Sequence, residues 1–108
     1  MNFKQKNIII KQIARDYKKT KFLFREELMV REESSSYLDN RKDLNYYKEL
    51  KEKIDYILIQ MDNNLSKVIY NEYFSNRNED WWMFYYSKST YYRLKNKAMD
   101  SFLEWWYV

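Results

Sequence analysis

One stretch near the end of the chain carries the side chains best suited to binding chemistry. It runs from Ser87 to Asp100 and contains four cationic side chains, with no acidic one before Asp100. Arginine can bond the edge of guanine bidentately, lysine can reach phosphate or guanine, and a serine hydroxyl can bond phosphate. These residue types predict contact with nucleic acid. The candidate residues are Lys88, Ser89, Tyr92, Arg93, Lys95, Asn96 and Lys97.

The composition argues against enzymatic chemistry. The chain has no cysteine, histidine or glycine, which excludes a cysteine or histidine nucleophile, a Ser-His-Asp triad and a cysteine/histidine zinc site. A phosphate-cradling loop would also need glycine. Pairs of adjacent acids remain, but neighbouring residues on a helix point apart and nothing else converges on them. These pairs are Glu26-Glu27, Glu32-Glu33 and Glu79-Asp80. We therefore expect no enzyme, no metal and no cofactor.

Aromatic residues make up 20% of the chain, and many of them lie near its end. They could fill the core or stack on unpaired bases. Core filling is the favoured interpretation, because a helical interior with few alanines needs large side chains. An exposed remainder would mark a surface for a protein partner. The candidates for this patch are Trp82, Trp106 and Tyr107.

The absence of glycine and proline predicts an all-α fold, since tight hairpins and β-rich folds depend on these residues for their turns. Asparagine and aspartate are the next best turn residues, and their clusters at 39–40, 62–64 and 76–80 mark helix boundaries. A chain of 108 residues with a net charge of +4 fits a single domain over 1–108.

Apolar periodicity divides this domain into about five helices in one bundle. A long first helix runs from Phe3 to about Glu33, either continuous or broken near Thr20. A serine-rich connection at 34–40 completes the N-terminal part, residues 1–40. A second helix covers Arg41–Met61, and a third covers Leu65–Phe74 with Asn64 as its cap. A short fourth helix begins after Asn78. The last helix runs from its cap Ser87 to about Trp106. The predicted inner face of the last helix consists of Tyr91, Leu94, Ala98, Phe102 and Trp105.

A short helix followed by a basic one is the topology of a helix-turn-helix unit, whose second helix enters the major groove. The segment Tyr86–Leu103, YSKSTYYRLKNKAMDSFL, resembles the recognition helix of region 4 of bacterial sigma factors. It is still more similar to the ArpU and RinA type of phage transcription activators. The resemblance extends over 54–103, and the whole chain resembles a small mollicute family with a sigma-region-4-like C-terminal half.

This resemblance implies a helix-turn-helix-like part over 41–108, in which Lys88, Ser89 and Arg93 face base edges and Tyr92 lies near the phosphates. Tyr85 stands where such motifs usually carry glycine in a left-handed turn. That conformation costs a non-glycine residue about 1 kcal/mol or more. The sequence therefore predicts either a re-formed, longer turn or a different crossing of the two helices.

The leading hypothesis is a DNA-binding transcription regulator or sigma-like accessory factor that places its last helix on double-stranded DNA. The alternative is a protein-interaction module, associated with RNA polymerase or another assembly, that has repurposed its helix-turn-helix. The sequence leaves a homodimer open. No apolar run approaches the roughly 20 residues of a membrane span, and the chain has no cysteine for disulfides. We therefore expect a cytoplasmic protein without a membrane partner.

Overall fold

The structure is a computed structural model that describes residues 1–30 and 41–108, leaving aside the side chains of 20, 21, 23–30 and 41–44. Within these ranges the chain is helical and contains no strand, which confirms the all-α prediction. The predicted serine-rich connection at 34–40 lies outside the described residues.

The described part of the chain contains four α-helices and one π-helical segment, whereas the sequence predicts about five α-helices. Helix α1 is continuous through position 20. The elements are α1 (Phe3–Val30), α2 (Arg41–Gln60), α3 (Asn63–Ile69), the π segment (Tyr70–Phe74) and α4 (Lys88–Trp106).

The predicted fourth helix is wrong, because residues 79–85 form a series of turns. Backbone hydrogen bonds from Met83 to Asp80 and from Tyr85 to Trp82 each span three residues, whereas an α-helical bond spans four. The packing of the adjacent indoles gives a physical reason. Both Trp81 and Trp82 contact the Tyr91 ring, but consecutive residues of an α-helix point about 100° apart.

The connection before α4 also avoids the left-handed turn of a usual helix-turn-helix. No described residue has a positive φ, so Tyr85 does not adopt the conformation that glycine would favour. Of the two predicted outcomes, a re-formed turn or a different helix crossing, the backbone before α4 shows the re-formed turn. The structure does not confirm the sigma-region-4-like architecture over 41–108, since the helix that should precede the turn is absent from 79–85.

The caps of α3 and α4 explain where these helices begin. Ser87 caps α4, as predicted, because its Oγ accepts a hydrogen bond from the Thr90 backbone at 3.3 Å. The predicted Asn64 cap of α3 is wrong. Asp62 caps that helix two residues earlier, accepting from the Asn64 and Leu65 amides at 3.0 and 3.3 Å. An acceptor placed at either position would suit the free amides of a helix start.

The core is built around α4, which packs against α1, α2 and α3. Tyr91, Ala98 and Phe102 are buried as predicted, whereas Leu94 and Trp105 are only half-buried. Met99 and Leu103 are buried as well, so the buried side of α4 is wider than the predicted face. The other fully buried side chains include Ile10 of α1, Ile54 and Ile57 of α2, Val68 and Ile69 of α3, and Phe74 of the π segment.

Candidate nucleic-acid interface

The solvent-facing side of α4 carries most of the predicted binding residues. Six of them are exposed and lie within one half of the helix circumference, because residues that are three or four positions apart share a face. We call this surface the α4 face. It consists of Lys88, Ser89, Tyr92, Arg93, Asn96 and Lys97.

The α4 face keeps its positive charge. Its nearest acid in the chain, Asp100, forms a salt bridge with Lys6 of α1. None of Lys88, Arg93 and Lys97 belongs to an ion pair within the part of the chain that the structure describes. Three cationic side chains are therefore available to an anionic partner.

Lys95 is a correction to the predicted set. Its side chain is only 11% exposed, and its Nζ lies 3.2 Å from Glu72 Oε1. The Lys95 side chain points toward α1 and the π segment rather than toward solvent. The ammonium also lies 5.4 to 5.8 Å from the ring centroids of Phe3, Tyr73 and Tyr91. Lys95 therefore binds within the protein and is not placed to hold a phosphate.

Glu72 organises a half-buried group of polar contacts that the sequence reasoning did not identify. Its second carboxylate oxygen, Oε2, accepts a hydrogen bond from Trp81 Nε1 at 2.8 Å. Burial, followed by hydrogen bonding to Glu72, raises the pKa of Tyr91. We call Glu72, Trp81, Tyr91 and Lys95 the Glu72 cluster. The sequence signal for this cluster is the isolation of Glu72, which is the only acid between Asp62 and Glu79.

Tyr73 lies beside this cluster and links three elements. Its hydroxyl donates to Asn7 Oδ1 of α1 at 2.6 Å and lies 3.2 Å from Met99 Sδ of α4. Burial raises the pKa of the Tyr73 phenol. The π segment places Tyr73 and Glu72 side by side, and such widened turns often occur at functional sites.

The predicted partner patch does not form a single surface. Trp82 stacks on Tyr91 with ring centroids 4.4 Å apart, and Trp106 stacks on Phe102 at 6.1 Å. Tyr91 and Phe102 are 11 positions apart on α4, which is about 16 Å along the helix. Both indoles are half-buried, in keeping with the core-filling interpretation, and Tyr107 alone is largely exposed, at 62%.

A different apolar surface lies in the turns before α4. Phe84 is 96% exposed, and its neighbours Met83 and Tyr85 are exposed as well. Sequence reasoning missed this surface because it placed these residues in a helix. The signal was the unbroken run of five large side chains at 81–85, which no helical period could bury on one side.

The described ranges, 1–30 and 41–108, contain neither a metal-binding cluster nor a membrane-spanning helix. No group of three or more acidic, histidine or cysteine residues there could hold a metal ion. None of the described helices is long and apolar enough to cross a membrane.

No family model, no curated protein and no solved structure matches the chain. The resemblance to sigma region 4, to the phage activators and to a mollicute family therefore stays a prediction.

Proposed function

We propose that the protein binds double-stranded DNA through the α4 face and acts as a transcription regulator or sigma-like accessory factor. The observation that carries the proposal is the exposure of Lys88, Arg93 and Lys97 on one side of α4, with the neighbouring Asp100 neutralised by Lys6. Arginine and lysine in such an arrangement suit guanine edges and phosphates.

The dimensions of the α4 face suit a major groove. From Lys88 to Lys97 the helix rises about 14 Å, and the groove, about 12 Å wide, admits a helix. In place of the missing preceding helix, α1 supports α4 close to this face. The Phe3 ring packs on Tyr92 with centroids 6.4 Å apart, and Lys6 holds Asp100.

Duplex binding tests the proposal. We expect the wild type to bind AT-rich promoter duplexes with an affinity that falls as salt rises. The variant Lys88→Gln/Arg93→Gln should bind at least roughly tenfold less tightly, because a good contact to a base edge is worth about 1–3 kcal/mol. Lys97→Gln should decrease the slope of log K against log salt by about 0.9, the value for one lost phosphate contact.

The matched control is Lys48→Gln/Lys67→Gln, which removes the same charge from exposed positions on α2 and α3. We expect it to retain nearly the wild-type slope. No salt-dependent duplex binding by the wild type, or an equal loss in the control variant, would overturn the proposal.

The alternative function is a protein-interaction module associated with RNA polymerase or another assembly. The exposure of Phe84 with Met83 and Tyr85 favours it, since large exposed apolar patches mark protein contacts. Binding of the wild type and of Phe84→Ser to purified RNA polymerase tests this alternative. Loss of polymerase binding in Phe84→Ser with duplex binding intact would support it, and absence of binding by the wild type would exclude the polymerase.

A further inference from the structure

A groove runs along α1 on the side of the Glu72 cluster. It consists of two depressions of 350 and 490 Å³, and Lys11, Glu72 and Tyr73 line both of them. Because the two share these residues, they form one continuous surface. It is distinct from the α4 face, with which it has only Tyr92 in common.

Three cations of α1 line the first depression, namely Lys11, Arg15 and Lys18. They are exposed, and their spacing of four and three residues places them on one side of the helix. Over these seven positions α1 rises about 10 Å. One nucleic-acid strand in a stacked geometry places about three phosphates over that length, at 3.4 Å each.

The acids of the groove leave this end positive. Among the described residues that line the first depression, Glu72 is the only acid, and its carboxylate is held by Lys95 and Trp81. Glu79, Asp80 and Arg77 line the second depression and not the first. The charge of the groove is therefore polarised, with its cationic end on α1.

Aromatic rings line the second depression. Trp82 is half-buried there, because Tyr91 covers one side of its ring. Tyr92 is exposed in the same depression. Rings beside a cationic track are the combination that holds single strands, because every unpaired base has a face that can stack on them.

We infer that this groove binds a single strand of nucleic acid, with its phosphates along Lys11, Arg15 and Lys18 and its unpaired bases on Trp82 and Tyr92. A duplex would meet the cations but would offer no free base face to the rings. The inference adds a second site to the proposed function, and each site can fail without the other.

Binding of a short dye-labelled oligothymidylate, followed by fluorescence anisotropy, tests the groove. For Lys11→Gln/Arg15→Gln we expect roughly tenfold weaker binding and a salt slope that decreases by about 1.4, the value for two contacts to a single strand. The control Lys48→Gln/Lys67→Gln removes equal charge and should keep the wild-type slope. Trp82→Leu should weaken binding by roughly tenfold with the slope unchanged, because a lost stack releases no counterions.

Several outcomes would overturn the inference. They are failure of the wild type to bind oligothymidylate, an equal loss in the control variant, and binding to anionic lipid vesicles but not to the oligonucleotide. The charge variants decide the matter even where Trp82→Leu disturbs the fold. Loss of duplex binding in Lys88→Gln/Arg93→Gln with oligothymidylate binding intact would separate the two sites and support both.

Discussion

The two ends of α4 are both rich in aromatic residues that contact one another, yet only the first end also has a carboxylate that binds several of its side chains. At the first end the Glu72 cluster joins its rings through polar atoms, with a carboxylate at the centre. At the second end, which we call the C-terminal aromatic cluster, Trp106 stacks on Phe102, Tyr56 meets Trp105 edge to face, and Lys53 lies over Trp106. These three contacting pairs involve Lys53, Tyr56, Phe102, Trp105 and Trp106.

The difference teaches how similar compositions can give different responses to change. A hydrogen bond to a buried carboxylate is directional, and its loss leaves a charge without its partner. Stacking and cation–π contacts tolerate a change of ring more easily, because much of their energy comes from buried area. The Glu72 cluster should therefore be sensitive to single atoms and the C-terminal aromatic cluster mainly to ring size.

The largest effect is expected from Glu72→Ala. This change removes the carboxylate and leaves the Lys95 ammonium, only 11% exposed, without its ionic partner. We expect the free energy of unfolding to fall by about 3 kcal/mol, the lower end of the cost of breaking a buried pair, because both side chains keep a little exposure. Urea unfolding measures it.

Two further variants test whether that loss comes from breaking the pair of Glu72 and Lys95. Glu79→Ala removes an exposed acid and should change stability by no more than about 0.5 kcal/mol. Replacing both partners, in Glu72→Leu/Lys95→Met, should recover much of the loss, because no unpaired charge remains. Equal effects of Glu72→Ala and Glu79→Ala would refute the central role of the buried pair.

Alkaline pH should also act on the first end of α4. Burial raises the pKa of both Tyr73 and Tyr91, so the folded state keeps their protons above about pH 10, where an exposed tyrosine ionises. The unfolded state then binds fewer protons than the folded state, and stability falls as the pH rises. These two groups contribute a fall of about 2.7 kcal/mol per pH unit to the total slope.

Denaturant unfolding at a series of pH values above 10 checks this slope. Tyr73→Phe removes one of the two groups and should reduce the slope by about 1.4 kcal/mol per pH unit. Tyr107→Phe, which removes a phenol that is 62% exposed at the other end of α4, is the matched control, and we expect the wild-type slope. A slope that Tyr73→Phe leaves unchanged would contradict the prediction.

Sequence reasoning succeeds for α4 because its signals are local. Ser87 and the Thr90 amide lie three residues apart, and the apolar period continues to Trp106 without interruption. It fails for 79–85, where consecutive large side chains carry no period. There the turns follow from where Trp81 and Trp82 pack, and those positions depend on Glu72 and Tyr91, which lie in other elements.

The candidate site was predictable to the same extent. The exposure of Lys88, Arg93 and Lys97 follows from the helical period of α4 alone. The burial of Lys95 does not, because it depends on the approach of Glu72 from a segment 23 positions earlier. The groove on α1 likewise depends on the π segment that lies beside it, and no local pattern of the sequence predicts that contact.

A matched pair of tryptophan changes compares the two ends directly. Trp81→Phe removes the indole N–H that donates to Glu72, and we expect a loss of about 1.5–3 kcal/mol, as for a hydrogen bond to a charged group. Trp106→Phe keeps a ring between Phe102 and Lys53, and we expect a loss below about 1 kcal/mol. Thermal and urea unfolding of both variants measure the difference. Equal losses of unfolding free energy in Trp81→Phe and Trp106→Phe would contradict the proposed difference between the two ends of α4.

The smallest effect is expected from Lys53→Met. The Lys53 ammonium lies 3.9 Å from the centroid of a Trp106 ring, and its side chain is exposed, for which a cation–π contact contributes about 0.5–1 kcal/mol. Methionine keeps the helix propensity and most of the length of the side chain, so the loss reports mainly the charge. Lys48→Met, on the same helix, is the control and should have no measurable effect, and Trp106→Leu should abolish the difference between the two lysine variants. If that difference persists without the indole, then Lys53 acts through the general field of the protein, and stacking alone holds the C-terminal aromatic cluster.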